Sequence, residues 1–311
     1  MERIAIVSEH ASPLALAGSV DSGGQNVYVA QIARHFAAAG CQVDVFTRRD
    51  DVESAEVVRW GGNIRIIHVS AGPPTALPKE QLLPYMGEFG AHLYRYFGPS
   101  GVGYDVVHAN FFMSALAALP AARRNRIPLA VTFHALGRVR RLHQGQADQF
   151  PNTRFEIEDY IVKQADRIIA ECPQDRQDLL ELYGADPRRV EIVPCGYDAA
   201  EMGPMDIQAA RAELGCDNRT FRVLQLGRMV PRKGIDNVIR AFALLRQMHG
   251  VEARLGVVGG ESEQPCEQST PELARLHWRP GWPSWLAIKI FVGAWARRAL
   301  VVPADCLPGK G

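Results

Sequence analysis

The residues best suited to chemistry are Arg228, Arg232, Lys233 and Gly234, within RVLQLGRMVPRKGIDNVIRAFALLRQM, residues 222–248. An apolar run from Val223 to Leu226 stops at Gly227 and the cations follow. Gly234 then opens a helix whose Ile235, Val238, Ile239, Phe242 and Leu245 recur at three- and four-residue spacing. Strand, loop and helix in that order turn unpaired backbone N–H groups toward an anion, and neighbouring cations suit that anion to a phosphate. A basic turn with no ligand has the same spacing, so both readings stand at this point. Gly23 and Gly24 lie where a long Gly- and Ser-rich loop, EHASPLALAGSVDSGG, meets the first long helix. Glycines there let backbone approach a ligand, with an ordinary turn as the alternative. The pair is not the spaced dinucleotide fingerprint, and Thr47 rather than an acid ends the second strand. His134 follows LAVTF, and His108 lies in DVVHAN. Both stand at the strand ends where α/β folds place ligands, although either could be purely structural. Between Arg123 and Arg141 the chain carries six arginines and no acid. This is either a solvated helix end or, beside a binding edge, a means of attracting phosphorylated substrates.

These residues need a scaffold that brings strand ends and helix starts together, and the pattern supplies one. Short, branched, apolar runs at 3–8, 42–47, 64–69, 106–109, 129–133, 167–170 and 190–193 read as buried parallel strands. The first two are joined by a helix pattern in Val27, Ile32, Ala33 and Phe36 that ends at Gly40. Alternating strands and helices predict a doubly wound α/β domain. The stretch AAEMGPMD, 199–206, breaks the rhythm and reads as a linker, and a second β-α-β unit runs from Arg222 to Gly260. A chain of 311 residues suits two domains. Its 47% hydrophobic and 22% charged residues are ordinary for a soluble protein. The net charge of +1 gives no reason to expect nucleic acid or an acidic membrane as partner. Six scattered cysteines without a CxxC pair argue against a disulfide framework or structural zinc and suit a reducing compartment. MERIAIVSEH enters a strand at once, without signal-peptide layout, and no apolar run reaches the roughly 18 residues a membrane span needs. The expectation is a cytoplasmic protein.

GRMVPRKGIDNVIRAF resembles the donor-binding signature of the group 1 (family 4) retaining glycosyltransferases of the GT-B fold. More narrowly, it is similar to the group that holds sucrose synthase, sucrose-phosphate synthase and the mycothiol glycosyltransferase. The likeness runs over about residues 3 to 260. It implies transfer of a hexosyl group from a nucleotide diphosphate sugar to an acceptor hydroxyl, with retention and with no metal or other cofactor. Arg228 and Lys233 would hold the diphosphate with Gly234 at the helix start, and Gly23 and Gly24 of DSGGQNVYV would line the cleft near sugar and acceptor. His134 of TFHALG would sit beside the donor sugar, hydrogen-bonded to a hydroxyl. Lys79 in LPKEQL and Arg154 in PNTRFEIEDYIVKQAD match positions that contact the phosphate of phosphorylated acceptors. Phe111 or Phe112 stands where the mycothiol-type relatives carry Tyr, and Ala135 where they carry Thr, which weighs against inositol phosphate as acceptor. VPCGYD resembles the string that closes the N-terminal domain, and Cys195 within it has no base placed to activate it. A nucleotide-sugar epimerase on the same fold would need a dinucleotide fingerprint and a Tyr-x-x-x-Lys pair, and neither is in the sequence.

The expected architecture is a complete N-terminal Rossmann-like domain over 1–205, part of a donor-binding domain over 206–261, and an atypical Trp-rich tail over 262–311. Four of the five tryptophans fall between 278 and 295. The string with two glutamates that holds the donor's sugar and ribose in the family does not occur, and the tail shows no β-α-β period. The reading is a fragment whose frame or natural end was lost near 262–275, with impaired transfer. A non-catalytic nucleotide-sugar-binding protein is the alternative, and 285–296 could be helix or strand.

Overall fold

The computed structural model describes residues 2–15, 23–98, 101, 103–199, 203–213, 216–217, 219–227 and 233–258, with the backbone of 286–289. The chain divides into two compact units, the first made of residues up to 14 and from 24 to 196, the second of residues 15–23 and those from Tyr197 on.

In the first unit, eight strands form one sheet. They are β1 (Arg3–Val7), β2 (Gln42–Arg48), β3 (Val57–Arg59), β4 (Ile64–Val69), β5 (Val106–Asn110), β6 (Leu129–Thr132), β7 (Arg167–Ala170) and β8 (Val190–Ile192). The order is β3-β4-β2-β1-β5-β6-β7-β8, parallel throughout except where β3 pairs antiparallel with β4. Every strand read from the apolar runs is present, and those at 42–47, 3–8, 106–109 and 129–133 are adjacent. β3 was not anticipated, because three residues at a sheet edge, none of them buried, carry no legible period.

Alternation along β1 explains the layers. Ile4 and Ile6 face one side with Val43, Val45, Ile64 and Ile66, covered by Val29 and Ala33 of α1 (Gly24–Ala38). Ala5 and Val7 face the other, against Phe46, Val107, Ala109 and Val131. That side is covered by α2 (Met86–Phe97) and α3 (Phe112–Arg124), which bring in Phe89, Leu93, Phe112 and Met113. The two helices touch closely, since a Cβ on Gly90 would stand 2.9 Å from the Ala117 carbonyl oxygen. Further along come α4 (Gly137–Gln144), α5 (Thr153–Gln164) and α6 (Pro173–Tyr183). The chain moves outward from β1 in one direction and from β5 in the other, so the switch point of the sheet lies between β1 and β5. Ligands bind in doubly wound folds beyond the carboxyl ends of such strands.

The second unit contains α7 (Ile207–Glu213), β9 (Phe221–Leu226), α8 (Ile235–His249), β10 (Ala253–Val258) and β11 (Leu286–Lys289). Its sheet runs β11-β10-β9, all parallel, with Leu255 opposite both Val223 and Leu286. Ile235, Ile239 and Phe242 of α8 pack on Ala253, Leu255 and Val257, as the helical spacing predicts. Only two strands were expected here. The tail supplies a third, because the free edge of β10 offers a row of unpaired N–H and C=O groups.

Replacing Gly90 with Val forces branched carbon into the Ala117 carbonyl and parts α2 from α3. The expected cost is about 1–3 kcal/mol in urea unfolding. Unchanged stability would show that this helix contact is not tight.

Candidate functional site

At the carboxyl ends of β5 and β6 the backbone leaves its ordinary conformations. Phe111, directly after β5, has φ 84°, and His134, two residues after β6, has φ 57°. Non-glycine residues at positive φ store strain, and such strain gathers at functional sites. Here both fall on neighbouring strands beside the switch point.

His134 is held on three sides. Its Nδ1 is 3.0 Å from Glu171 Oε1, its Nε2 is 3.0 Å from Asn110 Oδ1, and Tyr28 of α1 meets it edge-on at 4.7 Å. The Asn110 amide is oriented by its own Nδ2, which donates to the His108 carbonyl, so its oxygen is the atom that faces Nε2. Glu171 sits directly after β7, and the Cys195 thiol donates to the same Oε1 at 3.2 Å. Burial works to raise the Glu171 carboxyl, but the hydrogen bonds from His134 and Cys195 outweigh it and hold the group below the usual carboxylate range. Cys195 is pushed up to about 11 by burial and by Glu171, which leaves it a poor nucleophile, as its sequence context suggests.

His108 is an interior residue, with Nε2 2.8 Å from Thr132 Oγ1. Burial, reinforced by His134, lowers it to about 4, so it stays neutral at physiological pH. Glu9, after β1, is buried and takes its own contacts from His10 (Nδ1 2.7 Å away) and Ser114. Gln25 in the first turn of α1 donates to the Asn110 carbonyl. Gly24 is the first residue of α1, and a Cβ there would meet nothing within 4 Å; Gly23 immediately precedes it. The structure therefore brings the start of α1 and His134 together through Tyr28 and Gln25.

Arg154, the expected contact of an acceptor phosphate, is 0% exposed, and its Nη1 is buried with no hydrogen-bond partner. Its Nε donates to Glu158 Oε1 at 2.7 Å, an Nη2–H donates to the Ala135 carbonyl, and Phe111, Phe112 and Phe150 surround the guanidinium at 5.1, 4.7 and 4.5 Å. Glu158 in turn accepts from the Gly137 N–H at 3.0 Å and from the Tyr183 hydroxyl. Burial raises the Glu158 carboxyl against the lowering pull of Arg154 and the other donors. The pair thus grips the loop 135–137 that follows His134. Only glycine fits at 137, where a Cβ would lie 2.7 Å from Glu158 Oε2 and 2.8 Å from Arg154 Nε.

The basic stretch ending at Arg141 is also consumed internally in its second half. Arg138 pairs with Asp159, Arg140 with Glu80 and Asp148, and Arg141 with Asp148. Lys79 is drawn into the same network, 3.7 Å from Glu80. These cations neutralise neighbouring acids that are distant in sequence, which is why the run looked unbalanced.

In the second unit Lys233 is exposed, and Gly234 holds φ 61° at the N-terminal cap of α8, a left-handed conformation that favours glycine. Arg228 and Arg232 lie outside the described residues. Among the described residues no group of three or more His, Cys, Asp or Glu is placed to hold a metal ion, and no helix is long and apolar enough to cross a membrane.

Asn110, Tyr28 and Glu171 were not singled out from sequence. Glu171 had the signal that His134 had, a polar residue just after a parallel strand. Tyr28 is one position within a helix pattern, with nothing to mark it.

A two-unit α/β molecule with a strained, polar switch point in its first unit and a cation–glycine helix entry in its second has GT-B architecture. A profile described as Glycosyltransferase Family 4 matches residues 22–201, and one described as Glycosyl transferases group 1 matches 206–275. The D-inositol 3-phosphate glycosyltransferase of Kineococcus radiotolerans is 38% identical over 269 residues, covering 84% of this chain and 62% of that protein. The sucrose-phosphate synthase of Thermosynechococcus elongatus superposes with a TM-score of 0.81 at 28% identity, over 94% of this chain and 71% of that one. Anabaena Alr3699/HepE, solved in complex with UDP-glucose, shares the fold at 18% identity and TM-score 0.62, over 94% and 69%. The chain belongs to glycosyltransferase family 4. It spans about three fifths of the length of the curated relatives it matches, from 59% to 64%.

Arg154→Ala would leave Glu158 buried without its cation and is expected to cost about 3–5 kcal/mol in chemical unfolding. A loss confined to acceptor affinity, with stability intact, would make phosphate contact its main role. His108 gives a pH signature. Its folded value lies below that of the unfolded chain, so the unfolded state gains its proton first as pH falls. Stability should decline between pH about 6.5 and 4, by up to about 3 kcal/mol from this group. His108→Gln should flatten that slope, and an unaltered slope would show that another group sets it.

Proposed function

We propose that the chain serves retaining transfer of a hexosyl group from a nucleotide diphosphate sugar to an acceptor hydroxyl. The observation that carries the reading is His134, held by both ring nitrogens on left-handed backbone at the carboxyl end of β6 in a family 4 chain. In this reading His134 Nε2 donates to a sugar hydroxyl that takes the place of Asn110. Gly23 and Gly24 give the ligand access to backbone at the start of α1.

The second unit has a separate part. The leaving group is a nucleoside diphosphate on which negative charge develops as the glycosidic bond breaks. Arg228, Lys233 and the N–H groups that follow Gly234 stabilise it as preorganised donors. Lys79 and Arg154 are retained as proposed acceptor-side residues, Arg154 through its unpartnered Nη1. The relatives' names and the solved complex with UDP-glucose support a nucleotide-sugar donor, and no metal enters the scheme. Six scattered cysteines without a CxxC pair support a reducing compartment, and we place the protein in the cytoplasm.

The test is calorimetric binding of UDP, GDP and ADP to the purified chain, followed by transfer from the matching sugar donors to hexose and hexose-phosphate acceptors. At least one diphosphate should bind, and Lys233→Ala should weaken the transition state by on the order of 3 kcal/mol, a hundredfold or so in kcat/KM. Failure of all three diphosphates to bind would overturn the reading.

A further inference from the structure

His134 is a single imidazole with oxygen atoms facing both ring nitrogens, and the two acceptors are of different kinds. Asn110 presents Oδ1, because its Nδ2 is committed to the His108 carbonyl, so Nε2 must carry a proton to make the 3.0 Å contact. The other acceptor, Glu171, is a carboxylate, and its 3.0 Å contact requires a proton on Nδ1. The set is satisfied in full only when the ring donates from both nitrogens. An unrestrained imidazole can turn over about its Cβ–Cγ bond, which would replace each N–H by a C–H. Tyr28 packs edge-on against the ring at 4.7 Å, and the flip would give up both contacts.

We infer that Glu171 is the positioning residue of this site: its carboxylate keeps His134 a double donor and aims Nε2–H at the point where a donor hydroxyl replaces Asn110 Oδ1. The inference rests on the glycosyltransferase reading for the identity of that hydroxyl, but the Glu171–His134 relation stands on the geometry alone. Charge makes Glu171 fit for this, since a hydrogen bond between ionised partners is about twice as strong as a neutral one. Exchange of Asn110 for a ligand would then leave the ring anchored through Nδ1. Asn110 gives way while Glu171 stays, because an amide oxygen is the weaker acceptor. The Cys195 thiol, 3.2 Å from the same Oε1, is a second client of the carboxylate and serves as its reporter.

A purely structural role, in which Glu171 merely fastens the segment through Cys195, predicts different behaviour. In long-range proton–nitrogen spectra of the labelled chain, the wild-type His134 ring should show both nitrogens protonated. Glu171→Gln should lose the Nδ1 proton, Glu171→Asp should keep it, and Cys195→Ala should leave the ring unchanged. Alkylation of Cys195 should titrate near 11 in the wild type and at lower pH in Glu171→Gln, which confirms that the substituted chain is folded and the carboxylate charge gone. In transfer assays Glu171→Gln should lower kcat about 10- to 100-fold, the range seen when the orienting partner of a ligating histidine is removed. Donor KM should change little, with partial rescue by Glu171→Asp. A ring spectrum unaffected by Glu171→Gln, or equal losses in Glu171→Gln and Cys195→Ala, would overturn the assignment. If the wild-type chain turns over no donor at all, the proposed function fails while the ring spectrum still decides the role of Glu171.

Discussion

A guanidinium and a carboxylate with no exposed surface meet inside the protein, where Arg154 and Glu158 pair at 2.7 Å and only Arg154 Nη1, among the polar atoms of the pair, keeps no hydrogen-bond partner. Isolated burial of either ion would be prohibitive, so the surrounding chain has to offer hydrogen bonds to both. Ala135 gives its carbonyl to Arg154, and Gly137 gives its N–H to Glu158. Three phenyl rings fill the remaining space with their negative faces and apolar bodies. The loop after β6 therefore has one shape open to it, and His134 stands at its start.

That constraint explains why the strain is tolerated. A histidine at φ 57° persists only where its neighbours over-determine it. Here the following residues are tied to a buried ion pair, the preceding ones are strand, and the ring is held by Glu171 and Asn110. Phe111 carries similar strain one strand away, and its ring packs on both Arg154 and His10. The two distorted positions share one set of supports. Chemistry and packing are joined at this end of the sheet, so a substitution that loosens Arg154 would reach His134 without touching it.

The same region shows how electrostatics is divided. His108 is neutral and interior, bonded to Thr132, while His134 beside it meets a carboxylate. Their partners differ, although both belong to the ends of adjacent parallel strands. The arginines of α4 are absorbed by Asp148, Asp159 and Glu80, so the first unit keeps its polar function at the strand ends rather than in a broad cationic field.

Much of the scaffold was legible in the amino-acid sequence, because a parallel strand buried on both faces must be a short apolar run and an amphipathic helix must repeat every three to four residues. RIAIV, QVDVFTR and IRIIHV are such strands, and IDNVIRAFALLRQMH is such a helix. Glycine at 234 was equally legible, and φ 61° is the reason it is there. The family followed from the basic string that precedes this helix. Sequence could not give the partners of charges. The resemblance put Arg154 at an acceptor phosphate, but its burial against Glu158 was not legible, because Ala135, Gly137 and Tyr183, three of its supports and those of Glu158, are remote or unremarkable in the chain. Glu171 meets His134 across 37 positions, and only the pairing of β6 with β7 brings their ends together. Periodicity is a local property that burial imposes on consecutive residues. Neutralisation and orientation are pairwise properties of groups the fold makes adjacent, so tertiary structure alone decided which cation meets a buried acid and which histidine meets a carboxylate at its ring.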